Sequence, residues 1–140
     1  MISEPELAFV LEQRVAHLAT ADAAGRPHVV PVCFAITEGC FWIPIDEKPK
    51  RTLRLRRLQN IEENSAVGLI FDHYDDDDWS RLGWLMVSGQ AAIIEAGDEH
   101  RRAIAGLRER YRQYREMALE ERPVIKVTPE RVTSWGTLSA

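Results

Sequence analysis

The sequence predicts a mainly β protein in which an antiparallel β-barrel carries flanking helices. Several apolar stretches of strand length are joined by short turns, and few helical stretches separate them, which favours an antiparallel barrel over a parallel sheet. One stretch, residues 28–36, is apolar on both faces, as expected for a strand that lies deep in a barrel or is covered by a partner. The 140 residues have the length of one domain, so residues 1–140 are expected to fold as a single unit.

The first predicted element is a helix that starts at Ser3. Ser3 and Glu6 have the spacing of a capping box, and the apolar residues Leu7, Val10 and Leu11 then form a narrow stripe. The later elements follow in chain order: strands over 15–21, 28–36 and 40–45, a helix over 50–61, strands over 66–71 and 82–95, a helix over 99–115, and a broken final strand over 123–127 and 131–135.

The second strand and the turn after it carry two further signals. Pro31 has no N–H to donate to a sheet, so one side of that strand is predicted to be unpaired or bulged. Cys33 and Cys40 flank the tight turn at 37–39. If Ile36 pairs with Cys40, the two thiols lie several residues out of register, so a disulfide is not expected and both cysteines serve as small apolar fillers.

Composition excludes several classes of protein. With 45% hydrophobic and 29% charged residues, the chain is expected to be soluble and globular. No apolar run approaches the ~20 residues of a membrane span, and the acidic N-terminus does not have the pattern of a secretory signal. The net charge of −4 argues against general nucleic-acid binding. Two cysteines are too few for a secreted disulfide framework, so the expected compartment is the cytoplasm.

The run Asp72–Trp79 has the acidity of a calcium-binding loop. That loop requires Gly at its sixth position and Glu at its twelfth, and here those positions hold Asp77 and Gly83. The run is therefore predicted to be a solvated loop without a metal site. A second interpretation is that its carboxylates orient Arg81 or a basic patch.

The run from Lys48 to Arg57 holds six cations and no acid in a chain that is acidic overall. Lys50 and Arg51 fall in the first turn of the predicted helix, where the helix dipole favours anions over cations. A phosphate shared between these cations and the free backbone N–H groups would remove that conflict. The alternative interpretation is a solvated basic helix face.

No catalytic constellation is visible in the sequence. The four histidines are scattered, no serine lies in a nucleophile elbow, and no glycine-rich phosphate loop is present. We therefore predict no catalytic side chain, and if the protein is an enzyme, a bound cofactor does the chemistry. Trp79 follows four aspartates at a strand mouth, where it either packs in the core or stacks on a planar ligand.

Three segments together resemble one known family. They are LATADAAGRPHVVPVCF, FWIPIDEKPKRTLRLRRLQNI and AVGLIFDHYDDDDWSRLGWLMVSGQAAII, and the resemblance runs from about Leu7 to Trp135. The chain resembles the flavin and deazaflavin oxidoreductases of the pyridoxamine-phosphate-oxidase-like superfamily, which have an FMN-binding-like split β-barrel. The motifs KPKR…LRRLQNI and DHYDDDDWSRL are similar to those of the branch that uses the deazaflavin coenzyme F420.

The resemblance implies a homodimer with two cofactor sites at the interface. Two groups of residues are candidates for the cofactor phosphate: Lys48, Lys50, Arg51 and Thr52 at the start of the helix, and Arg57 with Asn60 further along it. Which of the two groups holds the phosphate stays open. The cofactor ring is expected along the second and third strands, near Val30, Pro31, Val32 and Trp42. The partner subunit is expected to cover it with Trp79 and Ser80, and Arg81 adds a polar contact.

The resemblance also implies a reaction. Coenzyme F420 would pass a hydride to or from an unsaturated small molecule, and solvent would deliver the second proton, so no acid or base of the protein is required. Two alternatives stay open. The protein could be an FMN-dependent oxidase or reductase of the same fold, or a carrier that binds F420 or FMN without catalysis. The physiological substrate and the direction of the reaction are not specified by the sequence.

Overall fold

The computed structural model describes residues 2–46 and 55–138. The helices within these ranges are α1 (Glu4–Glu12), α2 (Arg56–Glu63) and α3 (Asp98–Arg110), with short 3₁₀ helices at Trp79–Arg81, Arg112–Glu116 and Leu119–Glu121. The strands are β1 (Ala16–Ala21), β2 (Pro27–Val32), β3 (Ala35–Thr37), β4 (Cys40–Pro44), β5 (Ala66–His73), β6 (Gly83–Ile94) and β7 (Val124–Gly136). Residues 50–54 of the predicted second helix lie outside the described ranges.

The strands form one antiparallel sheet in the order β2-β1-β5-β6-β7-β4-β3. The sheet curls into a half-barrel, and its two edge strands, β2 and β3, follow each other in the chain. This confirms the predicted mainly β, antiparallel split-barrel class. Among the described strands β2 pairs only with β1, which leaves one side of β2 unpaired, as Pro31 predicted. Among the described residues, no helix has both the length and the apolar character that crossing a bilayer requires.

The predicted strand 28–36 is in fact two strands. β2 ends at Val32 and pairs with β1, whereas β3 begins at Ala35 and pairs with β4 at the opposite edge of the sheet. Between them Phe34 is fully buried, with its ring edge-on to Phe71 at 5.0 Å. The long apolar run therefore marks a crossing of the core from one edge to the other, and the prediction of one continuous strand was wrong.

The core has two parts that lie on opposite faces of β4. The larger part fills the concave side of the sheet beneath α1 and α2, and its centre is an aromatic group formed by Phe34, Phe41 and Phe71. The smaller part lies under α3, where Ile104 and Leu107 pack on Trp42. This second layer covers the outer face of β4 near the candidate site.

Helix α1 begins as predicted but buries a different face. The capping box is present, since the Ser3 hydroxyl accepts from the Glu6 N–H and the Glu6 carboxylate accepts from the Ser3 N–H. The buried residues are Phe9 and Val10, whereas Leu7 and Leu11 are 36% and 44% exposed. The predicted stripe was therefore wrong for Leu7 and Leu11, because α1 turns the Phe9 side of the helix toward the core.

Two further boundaries differ from the prediction. Helix α3 ends at Arg110 rather than near residue 115, because Tyr111 is extended and its hydroxyl donates to the carbonyl of Arg14 at 2.8 Å. The final strand is continuous, and its irregularity is a bulge at which Ser88 pairs with Arg131 and Gly89 with Pro129. A Cβ at Gly89 would lie 2.2 Å from the Thr128 carbonyl oxygen, so only glycine fits this close approach.

The hairpin between β3 and β4 is one residue tighter than predicted. Thr37 pairs with Cys40, and the two turn residues, Glu38 and Gly39, have positive φ angles of 56° and 76°. This is the backbone of a two-residue hairpin turn that matches the twist of the strands. Both cysteines are free thiols.

Candidate functional site

A small cavity opens where the C-terminal ends of β2 and β4 meet the start of α2. Its volume is about 150 Å³. The residues that line it are Val15, Pro31, Val32, Cys33, Pro44, Asp46 and Arg57. Most of these side chains are apolar, so the cavity presents one cation and one carboxyl group within a largely apolar wall.

Arg57 supplies the cation. It is the second residue of α2, a helix whose Leu58 and Ile61 are buried in the core, and Arg57 itself is only 7% exposed. A guanidinium that is shielded from water attracts a negative charge more strongly than one on the surface, because the effective dielectric constant is lower. Its planar array of N–H groups also matches carboxylate and phosphate oxygens. The position is therefore suited to holding the acidic group of a ligand.

Asp46 supplies the carboxyl group, and Tyr114 fixes its position. The Tyr114 hydroxyl donates to Oδ2 of Asp46 at 2.7 Å. Tyr114 is 4% exposed and comes from the 3₁₀ helix after α3. Burial, followed by the neighbouring Cys33 and Asp46 side chains, raises the pKa of the Tyr114 hydroxyl well above its ordinary value. The hydroxyl therefore stays protonated and acts as a permanent donor to Asp46.

Asn60 lies three residues beyond Arg57 but does not line the same cavity. It is 1% exposed, and its amide nitrogen donates to the Thr20 hydroxyl on β1 at 3.0 Å. Its amide oxygen has no hydrogen-bond partner among the described residues. Asn60 borders a separate cleft together with Arg26 and His28. The structure therefore separates the predicted pair, with Arg57 at the cavity and Asn60 anchoring α2 to the sheet.

The strand residues predicted to contact a cofactor ring divide in the same way. Pro31 and Val32 line the cavity, whereas Val30 packs against the core on the concave side of the sheet. Trp42 is 2% exposed and is not among the residues that line the cavity. Its indole N–H donates to the carbonyl of Thr37 at 3.3 Å. The structure does not bring Trp42 to the cavity, because α3 covers the outer face of β4.

Trp79, Ser80 and Arg81 form a short 3₁₀ helix on the rim of a different concavity. The carboxylate of Asp78 accepts from the Ser80 hydroxyl at 2.6 Å and from its N–H at 3.0 Å, and these bonds hold the pKa of Asp78 below its usual value. Trp79 is 68% exposed. Arg81 lies 3.5 Å from a carboxylate oxygen of Asp75, so an acid of this loop does orient it. That a second copy brings this helix over the cavity stays a prediction.

The remaining candidates, Lys48, Lys50, Arg51 and Thr52, lie outside the described residues. Both sides of this segment are described, and both reach the cavity: Asp46 before it and Arg57 after it are lining residues. Within residues 2–46 and 55–138 no group of three or more His, Cys, Asp or Glu side chains is placed to hold a metal ion.

Sequence reasoning missed three residues of this site. Asp46 lies two residues beyond the end of β4 and two residues before the basic run, so its place in the sequence is the signal that indicates it. Cys33 was interpreted as a filler, and Tyr114 fell within the predicted helix over 99–115. No spacing rule connects Tyr114 with Asp46, because 68 residues separate them along the chain.

Comparisons with known proteins agree with this fold. The model of the pyridoxamine 5'-phosphate oxidase family matches residues 3–136. The 5a,11a-dehydrotetracycline/5a,11a-dehydrooxytetracycline reductase of Streptomyces rimosus is 26% identical over 134 residues, which are 96% of this chain and 82% of that protein.

Solved structures show the same fold. The conserved hypothetical protein Rv2991 of Mycobacterium tuberculosis aligns with 98% of this chain and 86% of its own, with a TM-score of 0.76 at 23% identity. The heme storage protein HutZ of Vibrio cholerae aligns with 97% of this chain and 95% of its own, with a TM-score of 0.71 at 22% identity. At these identities the likeness concerns the fold alone.

The curled antiparallel sheet with its cavity at one edge defines a split-barrel protein. The chain belongs to the pyridoxamine 5'-phosphate oxidase family. That family and the related reductase place it in the oxidoreductase class of enzymes.

Proposed function

We propose that the protein is a cytoplasmic, homodimeric oxidoreductase that binds coenzyme F420 beside Arg57 and reduces or oxidises an unsaturated small molecule. The observation that carries the proposal is a buried arginine that faces a largely apolar cavity. The described residues fit a flavin-type cofactor, which combines a flat ring with an acidic side chain. Arg57 would hold the acidic group, and Pro31, Val32 and Pro44 offer apolar surface to the ring.

The size of the cavity supports a second subunit. About 150 Å³ is less than the roughly 300–1,000 Å³ of a typical small-molecule pocket, so this cavity by itself does not enclose a whole cofactor. Pro31 lies on the outer face of the sheet in a row of paired residues that continues through His17 and Ile70 to Met86. A copy that covers this row would also close the cavity.

The same outer face has the character of an interface. Ile70 and Met86 are 37% and 39% exposed, Val29 on the edge strand is 61% exposed, and Trp135 is 56% exposed. Exposed apolar residues gathered on one face mark a surface that another protein covers. The dimer that we propose buries this face and brings Trp79 and Ser80 of one subunit to the cavity of the other.

When bound, the deazaflavin supplies a two-electron hydride. The protein's own contribution is to position the cofactor and to shield it from water. Arg57 neutralises the acidic group, the apolar walls exclude water, and the hydrogen bond from Tyr114 holds the carboxyl group of Asp46 at the rim. No described side chain needs to exchange a proton with the substrate, since solvent can deliver it.

The choice of F420 over FMN rests on the basic run. Six cations from Lys48 to Arg57 exceed what one phosphate needs, and F420 carries a tail of carboxylates beyond its phosphate. The related reductase from Streptomyces rimosus, whose substrate is a dehydrotetracycline, supports an unsaturated small molecule as the acceptor. An FMN-dependent reaction would use the same contact at Arg57, and a non-catalytic carrier would need only the binding site.

A side-by-side titration tests the proposal. Purified protein without cofactor is titrated with F420 and with FMN, followed by fluorescence, and we expect the tighter binding for F420. Stopped-flow oxidation of bound reduced F420 is then measured across a panel of activated alkenes. Tighter binding of FMN than of F420 would indicate that FMN is the cofactor. If no acceptor accelerates the oxidation of bound reduced F420, the protein is a carrier rather than an enzyme. Failure to bind either compound would contradict the proposed site itself.

A further inference from the structure

A second, larger groove adjoins the cavity beside Arg57. Its volume is about 830 Å³, within the range of small-molecule pockets. Val15, Cys33 and Asp46 line both concavities, so the two are continuous. The rest of the groove comes from the end of α3 and the 3₁₀ helix after it. A molecule in this groove would therefore lie next to a ligand held at Arg57.

The groove is positively charged in a chain whose net charge is negative. Its described lining includes Arg14, Arg110, Arg112 and Arg115 but only two carboxylates, Asp46 and Glu109. This local excess of two positive charges contrasts with the net charge of −4 for the whole chain. A concave surface of one sign concentrates ligands of the opposite sign.

The arginines differ in what they already bind. Arg110 donates to the carbonyls of Leu11 and Gln13 and so ties α3 to the end of α1. Arg14 donates to the Arg110 carbonyl at 2.8 Å. Arg112 is exposed, and its side chain forms no hydrogen bond or ion pair with another described residue. It is thus the lining arginine whose guanidinium is most available to a ligand.

The floor of the groove is aromatic. The rings of Tyr111 and Tyr114 pack edge to face with centroids 5.4 Å apart, and Met117 lies beside them. Such a surface suits a flat or ring-bearing molecule. Asp46, at the junction with the cavity, disfavours a second negative charge at that end.

We infer that the groove binds the acceptor of the reaction and that this acceptor is an anionic, ring-bearing small molecule. Its charged group lies toward Arg112 and its rings lie toward the cavity. That this ligand is the acceptor of the reaction rests on the proposed function. That the groove prefers aromatic anions rests on the residues of the groove alone.

Two fluorescent probes with nearly the same rings test the charge preference. They are 8-anilinonaphthalene-1-sulfonate, which is an anion, and N-phenyl-1-naphthylamine, which is neutral. Arg112→Glu should weaken binding of the sulfonate about tenfold or more, as expected for the loss of one charge-assisted hydrogen bond, and leave the neutral probe unchanged. Arg101→Glu is the matched control, because it makes the same charge change on the exposed side of α3, where Arg101 pairs with Asp98.

Two further measurements locate the probe. Met117→Trp should weaken both probes equally by filling the floor, and saturating F420 or FMN should leave the sulfonate bound. Equal effects of Arg112→Glu and Arg101→Glu, no binding of the sulfonate to the wild-type protein, or displacement of the sulfonate by the cofactor would each overturn the inference. Arg112→Ala, a milder change, should give a smaller loss in the same direction. If neither F420 nor FMN binds but both probes behave as expected, the proposed function is contradicted and the inference that the groove binds aromatic anions is supported.

Discussion

The hydroxyl of Tyr114 donates a 2.7 Å hydrogen bond to the carboxylate of Asp46 and so connects the segment after α3 to the end of β4. This bond lies at the junction of the cavity and the arginine-lined groove, because Asp46 lines both. Tyr114 is buried, whereas Asp46 is partly accessible. The hydrogen bond between them therefore supports the fold and also positions a residue that lines the site.

The first prediction concerns alkaline stability. Because the pKa of Tyr114 is raised in the folded state, the folded protein retains this proton above pH ~10, where an unfolded tyrosine releases it. The stabilisation is therefore complete below pH ~10 and declines as the pH rises further. Urea unfolding between pH 8 and 11 should show a steeper alkaline loss for the wild type than for Tyr114→Phe.

Tyr74→Phe is the control for this measurement, since Tyr74 is 61% exposed. It should keep the wild-type slope. Identical slopes for wild type and Tyr114→Phe above pH 10 would show that the Tyr114 proton is not coupled to folding.

The second prediction decides which cations hold the acidic part of the cofactor. Arg57→Met should weaken cofactor binding about tenfold or more, because one buried charged contact is lost. Arg101→Met is the control, since Arg101 is an exposed arginine of α3 that lies outside the basic run and does not line the cavity. Isothermal titration with F420 measures both variants.

Lys50→Ala and Arg51→Ala belong in the same titration. The sequence predicts a loss of about tenfold or more for each variant if Lys50 and Arg51 hold the phosphate. If cofactor affinity falls in the Lys50 and Arg51 variants but not in Arg57→Met, the phosphate is held by Lys50 and Arg51 rather than by Arg57 at the cavity.

The third prediction concerns acid stability of the groove floor. Arg108 pairs with Glu120 and also donates to the carbonyls of Tyr114 at 3.0 Å and Met117 at 2.7 Å. The Arg108 hydrogen bond lowers the pKa of Glu120 to about 2. Since an unfolded glutamate titrates near pH ~4.3, the stabilisation is complete above that pH and disappears as the pH falls toward 2.

Glu120→Gln should therefore lower the thermal unfolding midpoint at pH 7 and have little effect at pH 2. Calorimetry at the two pH values measures the difference. Glu116→Gln, an exposed glutamate of the neighbouring 3₁₀ helix, should change neither midpoint. An equal effect of Glu120→Gln at both pH values would mean that the ion pair does not support the fold.

The fourth prediction tests the dimer. Met86→Arg places a charge on the exposed apolar face of the sheet and should convert the protein to a monomer with weaker cofactor binding. Leu11→Arg is the matched control, since Leu11 on α1 is similarly exposed but lies away from that face. Light scattering after size-exclusion chromatography measures the mass. A Met86→Arg variant that remains dimeric would place the interface elsewhere.

Local features of the structure were predictable from short stretches of sequence. The capping box at Ser3 and Glu6 and the turn at Glu38 and Gly39 depend on residues a few positions apart, and both are present. The class of fold was also predictable, because alternating apolar strands and short turns permit few architectures other than an antiparallel barrel.

Which face of an element is covered was decided by the tertiary structure. The family resemblance implied that Trp42 lies near the cofactor ring, but α3 packs over it. Arg57 and Asn60 share one helix, yet Arg57 lines the cavity and Asn60 donates to Thr20 on β1.

The amino-acid sequence by itself determined most of the strands and turns, the family and the run of six cations from Lys48 to Arg57, since each of these depends on residues that are close along the chain. The contact between Tyr114 and Asp46, the burial of Arg57 and the continuity of the cavity with the arginine-lined groove were decided only by the tertiary structure. These features depend on how β2, β4 and the segment after α3 pack together, and the packing of distant segments is set by the whole core rather than by any local pattern.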